Sequence, residues 1–185
     1  MSQNAIAQQA RTVSANASGN GLLDIKSLVL LAILLAAGFI LNMTLGNALA
    51  IVGIKPQFII AAYALAIILT RASVAQSVLY AVLSACVIQL TTSIPGLNFL
   101  TEAVAAVAMA LLVKANVGGS KAYPLASAFL TTLISGALFA VLGTVIMGAA
   151  LPTVMVKVPL VLGTAAFNAI VVQALYIPLN KVLNK

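Results

Sequence analysis

The chain has 185 residues, of which 63% are hydrophobic and 6% are charged, and its formal net charge is +7. A mean hydropathy of +1.20, with apolar runs longer than a globular core helix, is typical of an integral membrane protein. The sequence has no His, and Cys86 is its one cysteine, which excludes disulfides and thiolate metal clusters and removes the commonest proton shuttle. In a soluble protein the basic charge would suggest nucleic acid, but the placement of these charges indicates a membrane orientation instead, and we expect no nucleic-acid partner.

The chain begins with a polar segment, residues 1–26, that is rich in Gln, Asn, Ser and Ala. It contains few large apolar side chains, so we expect a cytoplasmic tail that is disordered at least up to Gly21. Six hydrophobic stretches follow in residues 27–185, and none has the alternating pattern of a barrel strand. They predict an all-α membrane protein with six transmembrane helices. The predicted spans are Ser27–Leu45, Pro56–Thr70, Val74–Leu90, Asn98–Val113, Tyr123–Met147 and Val156–Ile177, of which the second and fourth are short.

The basic residues predict the orientation of these spans. With six spans both termini lie on one side of the membrane, and that side receives seven Lys and Arg residues. The other side receives Lys55 and Lys157 alone. Because cytoplasmic segments carry the excess of Lys and Arg, the sequence predicts a plasma-membrane protein with both termini in the cytoplasm. The seven residues on the predicted cytoplasmic side are Arg11, Lys26, Arg71, Lys114, Lys121, Lys181 and Lys185.

The stretch Gln89–Glu102, QLTTSIPGLNFLTE, interrupts two long apolar runs and gathers polar side chains around one Pro-Gly turn. It also contains Glu102, the only acidic residue after Asp24. Polar groups at the edge of a bilayer cost free energy unless something binds them, so this cluster favours a binding site for a small molecule. The alternative is an ordinary helix–loop–helix turn at the membrane surface.

Further polar groups occupy the other outer ends of the predicted spans, where compensating charges are few. This composition is typical of a site for a neutral or zwitterionic small molecule. Lys55 and Lys157 are the outer cations available to pair with Glu102, although each lysine alone also fits snorkelling to the headgroups. The candidate substrate-binding residues are Asn42, Asn47, Lys55, Gln57, Gln89, Thr92, Asn98, Glu102 and Lys157.

Small side chains four residues apart, Ala32 and Ala36, lie in the first span and are followed by Ala37 and Gly38. A stripe of small residues lets another backbone approach closely. It predicts docking of Ala32 and Ala36 against another membrane protein, with packing inside the chain as the alternative. The fifth span has a similar strip, formed by Ser135, Gly136, Ala140, Gly143 and Thr144.

Six short spans, the alanine motif and the lack of an energy-using domain resemble the S component of an energy-coupling factor (ECF) transporter. Lys55-Pro56-Gln57 and Leu90-Thr91-Thr92-Ser93-Ile94-Pro95-Gly96 are similar to the tryptophan-transport-protein-like branch of that family, which has Lys-Pro-Asp and Thr-Thr-x-Phe-Pro-Gly at these places. The resemblance covers roughly Leu28–Leu112. Gln57 stands where that branch has aspartate, and Glu102-Ala103 stands where it has an acidic–basic pair.

The resemblance implies a subunit that captures one vitamin or related micronutrient outside the cell. It further implies that the subunit docks, through the alanine motif, on an ECF module of one transmembrane protein and two ATPases. The pattern G-x-x-x-x-G-K-[ST] does not occur in the sequence, so ATP hydrolysis is assigned to these partners and the chain is predicted not to be an enzyme. We expect the lipid bilayer as a further partner, and no cofactor or metal.

The nature of the ligand is predicted from the outer ends of the spans, where small residues are frequent, and from the low aromatic content of 5% without Trp. Small residues leave volume for a bulky ligand, which places cobalamin first, pantothenate second and tryptophan third. Tight helix packing is the alternative use of these residues. From another functional class, a stand-alone proton-coupled carrier needs buried titratable groups, and Glu102 is the candidate.

Overall fold

The computed structural model describes residues 21–50 and 56–183, and this part of the chain is all-helical. The first helix, α1 (Ile25–Leu41), continues through a π-helical segment (Asn42–Gly46) into a short α-helical segment (Asn47–Ala50). Five further helices follow in chain order: α2 (Phe58–Thr70), α3 (Val74–Ile88), α4 (Leu97–Lys114), α5 (Gly119–Ile146) and α6 (Thr153–Leu183).

The predicted all-α architecture is confirmed, and each helix lies on one of the six predicted hydrophobic stretches. Four helical stretches are long and apolar enough to cross a membrane, namely Ile25–Leu49, Leu97–Lys114, Lys121–Ile146 and Thr153–Leu183. The short helices are α2, with 13 residues, and α3, with 15. The second span was therefore correctly predicted to be short, but the other short helix is the third rather than the fourth. The crossing of the membrane by all six helices stays a prediction.

Helix α2 forms the centre of the bundle. Its residues from Phe58 to Ile68 are all buried, and it packs against α1, α3, α4, α5 and α6. A helix that is apolar on every side is stable where protein surrounds it completely, which is the environment that its sequence favours. At a rise of 1.5 Å per residue its 13 residues span only about 20 Å, so α2 is short compared with the helices around it.

A close contact between α1 and α2 fixes one side of this core. A Cβ atom added at Gly38 would lie 2.9 Å from the carbonyl oxygen of Phe58, so the two backbones are in direct contact there. Ala32 and Ala36 point the other way and are exposed on the outer face of α1. The small residues of the first span thus divide between a packed face and an outward face.

Side chains cap the helices that begin at one end of the bundle. Asp24 caps α1 by accepting hydrogen bonds from the backbone N–H and the hydroxyl of Ser27. The hydrogen bond from the Ser27 side chain is the main cause that lowers the pKa of Asp24 below its usual value. Ser73 and Gln76 form a capping box at the start of α3, where each satisfies a backbone N–H that the helix leaves free.

Hydrogen bonds between helices place several of these termini close together. The Gln76 amide donates to the carbonyl oxygen of Gly21 over 2.7 Å, which joins the starts of α1 and α3. The Tyr123 hydroxyl donates to the Tyr176 hydroxyl over 2.6 Å, which joins the start of α5 to the late part of α6. We call this end of the bundle the basic end, because five exposed cations lie at its helix termini: Lys26, Arg71, Lys114, Lys121 and Lys181.

Candidate functional site

A cavity of about 610 Å³ lies at the end of the bundle opposite the basic end. Its walls come from the π-helical segment, the start of α2, the connection between α3 and α4, and the neighbouring parts of α4, α5 and α6. Seven of the nine predicted substrate-binding residues line it: Asn42, Asn47, Gln57, Thr92, Asn98, Glu102 and Lys157. We call this space the polar cavity.

Of the two other predicted residues, Gln89 does not line the polar cavity. Gln89 ends α3, and its side-chain oxygen accepts a hydrogen bond of 2.9 Å from the backbone N–H of Gly96. This hydrogen bond stabilises the connection between α3 and α4, and the Gln89 side chain is used there instead of facing the cavity. Lys55 lies outside the described residues.

The π-helical segment explains how Asn42 and Asn47 come to line one cavity. Five residues along a regular α-helix place two side chains about 140° apart around the axis. A π-helical turn contains more residues, so that residues five apart come round to the same side. Segments of this kind frequently occur at functional sites, and here the wide turn directs both amides to the polar cavity.

The stretch Gln89–Glu102 consists of a turn followed by the start of α4. Gly96 has a φ of +84°, a conformation that favours glycine, and its N–H is the group bound by Gln89. The Thr92 hydroxyl donates to the side-chain oxygen of Asn98 over 2.7 Å. The prediction of a simple surface turn therefore describes part of the stretch, whereas Thr92, Asn98 and Glu102 also line the cavity.

Glu102 is the most enclosed charged group of the site, with 2% of its surface exposed. The hydroxyl of Tyr63 on α2 donates to its Oε2 over 2.8 Å, and the hydroxyl of Ser135 on α5 donates to its Oε1 over 2.7 Å. The carboxyl group thus joins three helices. The hydrogen-bond partners of the carboxyl group in the described part of the chain are neutral side chains, and the Nζ of Lys157 contacts Thr144 instead.

Tyr63 and Ser135 were not predicted as site residues. In the sequence Tyr63 stands alone in the middle of an apolar span, and Ser135 is one of several hydroxyl residues in its span. Both signals mark many packing positions as well. Ser135 was assigned to the small-residue strip of the fifth span, but its hydroxyl binds Glu102. Added Cβ atoms at Gly136 and Gly143 would lie 2.9 Å from Val161 and 2.8 Å from Ile94. That strip therefore packs inside the chain.

Lys157 provides the cation on the wall of the polar cavity. Its Nζ donates to the Thr144 hydroxyl over 2.8 Å, and that hydroxyl donates to the carbonyl oxygen of Ala140 over 2.6 Å. Thr144 is buried and Lys157 is half-buried. The ammonium group is therefore held against α5, and a lysine that simply snorkels to headgroups makes no such contact.

Asn168 is a further polar residue that sequence reasoning missed. It is fully buried on α6, and its amide nitrogen donates to the carbonyl oxygen of Gln57 over 3.1 Å and to the Thr132 hydroxyl over 3.4 Å. This links α6 to the start of α2 beside the cavity. Its Oδ1 and the Oδ1 of Asn42 are buried without a hydrogen-bond partner among the described residues.

The polar cavity combines these groups with apolar walls formed by Ile60, Phe139 and Leu160. A mostly apolar cavity of this volume, with a few polar groups that fix orientation, is typical of a site for a small molecule. Within residues 21–50 and 56–183 no three His, Cys, Asp or Glu side chains come together as a metal site requires. The hydrogen-bond donors and acceptors of the polar cavity are suited to reversible binding of a small molecule.

Comparison of the chain with protein-family models, with curated proteins and with solved structures finds no match. The resemblance to S components therefore stays a prediction that depends on the motifs quoted above. The long apolar helices indicate a membrane protein.

Proposed function

We propose that the chain is a substrate-binding S component of an ECF-type importer, which captures a vitamin-like small molecule in the polar cavity. The observation that carries this proposal is the gathering of seven predicted polar residues around one cavity of about 610 Å³ at a single end of the bundle. A protein with a purely structural role in the membrane gains nothing from such a cavity, because its buried polar groups cost free energy when nothing binds them.

The volume of the cavity changes the order of the candidate ligands. Sites for drug-sized molecules have volumes of about 300–1,000 Å³, and the polar cavity lies within this range at about 610 Å³. Cobalamin, with its corrin ring and nucleotide loop, is far larger than such molecules. The cavity favours a ligand of the size of pantothenate or tryptophan, so cobalamin moves from first place to last.

The orientation that this function requires follows from the charges. The five described cations of the basic end would face the cytoplasm. The polar cavity then faces outward, where an importer meets its ligand. Six membrane crossings with both termini in the cytoplasm complete the proposal, with α2 and α3 enclosed by longer helices.

Docking on the ECF module is assigned to the outer face of α1. Ala32 and Ala36 are exposed there, whereas Gly38 is used for packing on α2. Small side chains on an exposed helix face allow close approach of a partner helix in the membrane. The partner module supplies the ATPases, since this function requires no catalysis by the chain itself.

The test uses uptake and binding in parallel. A double variant, Ala32→Trp with Ala36→Trp, places bulk on the proposed docking face. We expect it to abolish ATP-dependent uptake in cells that contain an ECF module, while the purified protein binds its ligand with unchanged affinity. Ala166→Trp on the exposed face of α6 is the matched control and should retain uptake. Full uptake by the double variant would remove the docking assignment.

A stand-alone proton-coupled carrier is the second candidate, and Glu102 is the observation that favours it. This carboxyl group is buried beside the cavity, and such groups within a membrane often belong to proton pathways. Uptake that continues without any ATPase partner but stops when the proton gradient is collapsed would support this candidate. Uptake that needs the ATPases would support the S component.

A further inference from the structure

We infer that the ligand of the polar cavity carries a protonated amine and that Glu102 is its counter-ion; this inference rests on the proposed binding function and specifies the class of substrate. Glu102 is one of two acidic residues in the chain, the other being Asp24, which caps α1 at the basic end.

The first step of the argument concerns the hydrogen bonds of the carboxyl group. A carboxylate accepts about four hydrogen bonds, and Glu102 receives one short bond from Tyr63 and one from Ser135. The contact from the Thr101 hydroxyl is longer, at 3.5 Å, and the Asn98 side chain is a further hydrogen-bond partner. All of these donors are neutral, and Glu102 also lines the polar cavity, so a charged donor of a ligand can approach the carboxyl group.

The second step concerns charge. A buried carboxylate is costly without a cation, and Lys157, the cation of the described cavity wall, has its Nζ on the Thr144 hydroxyl instead. Tyr63 and Ser135 fix the position of the carboxyl group but bring no positive charge. A ligand ammonium group would supply both the charge and up to three N–H donors.

The experiment measures binding to the purified full chain in detergent by calorimetry, with ligand pairs that differ at one group. Tryptamine is compared with indole-3-ethanol, and pyridoxamine with pyridoxine, because each first member has an ammonium group where the second has a hydroxyl. Tryptophan, pantothenate and cobalamin complete the panel. We expect binding by amines alone, and we expect Glu102→Gln to weaken it by about 30-fold or more, as for a buried charge pair that loses one partner.

Asp24→Asn is the matched control, since it removes the only other acidic side chain of the sequence and should leave affinity unchanged. Equal affinities within each pair, or amine binding that Glu102→Gln leaves intact, would overturn the inference. If pantothenate or cobalamin binds and no amine does, the binding function stands and the amine assignment fails. If no compound of the panel binds, the proposed function fails together with the inference.

Discussion

The two ends of the helical bundle use their polar side chains in different ways. At the basic end these side chains complete the helices, since Asp24 and the Ser73–Gln76 pair cap α1 and α3. At the cavity end Glu102 and Lys157 reach across to other helices and line a common space. The basic end thus uses its polar groups to cap helices and to join helix termini, whereas the other end gathers polar groups around one cavity.

The largest expected effect tests this contrast with two buried tyrosines. Tyr63→Phe removes the donor of a 2.8 Å hydrogen bond to Glu102, so we expect the free energy of unfolding to fall by about 1–3 kcal/mol. Tyr80→Phe removes a buried hydroxyl that has no partner among the described residues, and it should cause no loss. Unfolding in detergent, followed by circular dichroism, measures both variants. Equal losses would contradict the special role of the Glu102 network.

A smaller effect tests how closely α1 packs against the start of α2 beside the cavity. Gly38→Ala places a Cβ atom 2.9 Å from the Phe58 carbonyl oxygen, so the helices must move apart and we expect a loss of about 1 kcal/mol in the free energy of unfolding. Gly163→Ala on α6 meets no atom within 4 Å. This control should be stabilising by roughly 0.5–1 kcal/mol, because alanine is the better helix former.

Ligand binding should also differ between Gly38→Ala and Gly163→Ala. Displacement of α1 would shift Asn42 and Asn47, which line the polar cavity, so affinity should fall in Gly38→Ala and stay constant in Gly163→Ala. Unchanged stability of Gly38→Ala would show that the contact of the two backbones is not tight.

The smallest effect concerns the basic end and its dependence on pH. The pKa of Asp24 is lowered, chiefly by the hydrogen bond from the Ser27 side chain. Its charge therefore contributes stability at pH values above the unfolded-state pKa of about 3.9, and this contribution is lost as the pH falls through the lower folded-state pKa.

Asp24→Asn keeps a good N-cap residue but removes the charge. We expect a slightly lower melting temperature than for the unaltered protein at neutral pH, and no difference at a pH below both pKa values. Melting curves in detergent across this pH range provide the measurement. A difference in melting temperature that is the same at every pH would show that the charge of Asp24 is not its cause.

Much of the site was predictable because its polar residues stand out in an apolar sequence. Asn98, Glu102 and Lys157 lie at the ends of hydrophobic stretches, and all three line the polar cavity. Tyr63, Ser135 and Asn168 were missed because each lies inside an apolar span rather than in a polar cluster at its end. Such a residue is equally compatible with packing, and its partner lies on another helix.

The sequence alone determined that the chain is helical and apolar, where the helices lie and which end carries the cations, because these features follow from local hydrophobicity and charge. The tertiary structure decided that α2 is the buried centre of the bundle and that the Ser135 hydroxyl binds Glu102. It also decided that the π-helical turn brings Asn42 and Asn47 to one side. These outcomes depend on contacts between residues far apart in the chain, which are set by how the helices pack and not by any single stretch of sequence.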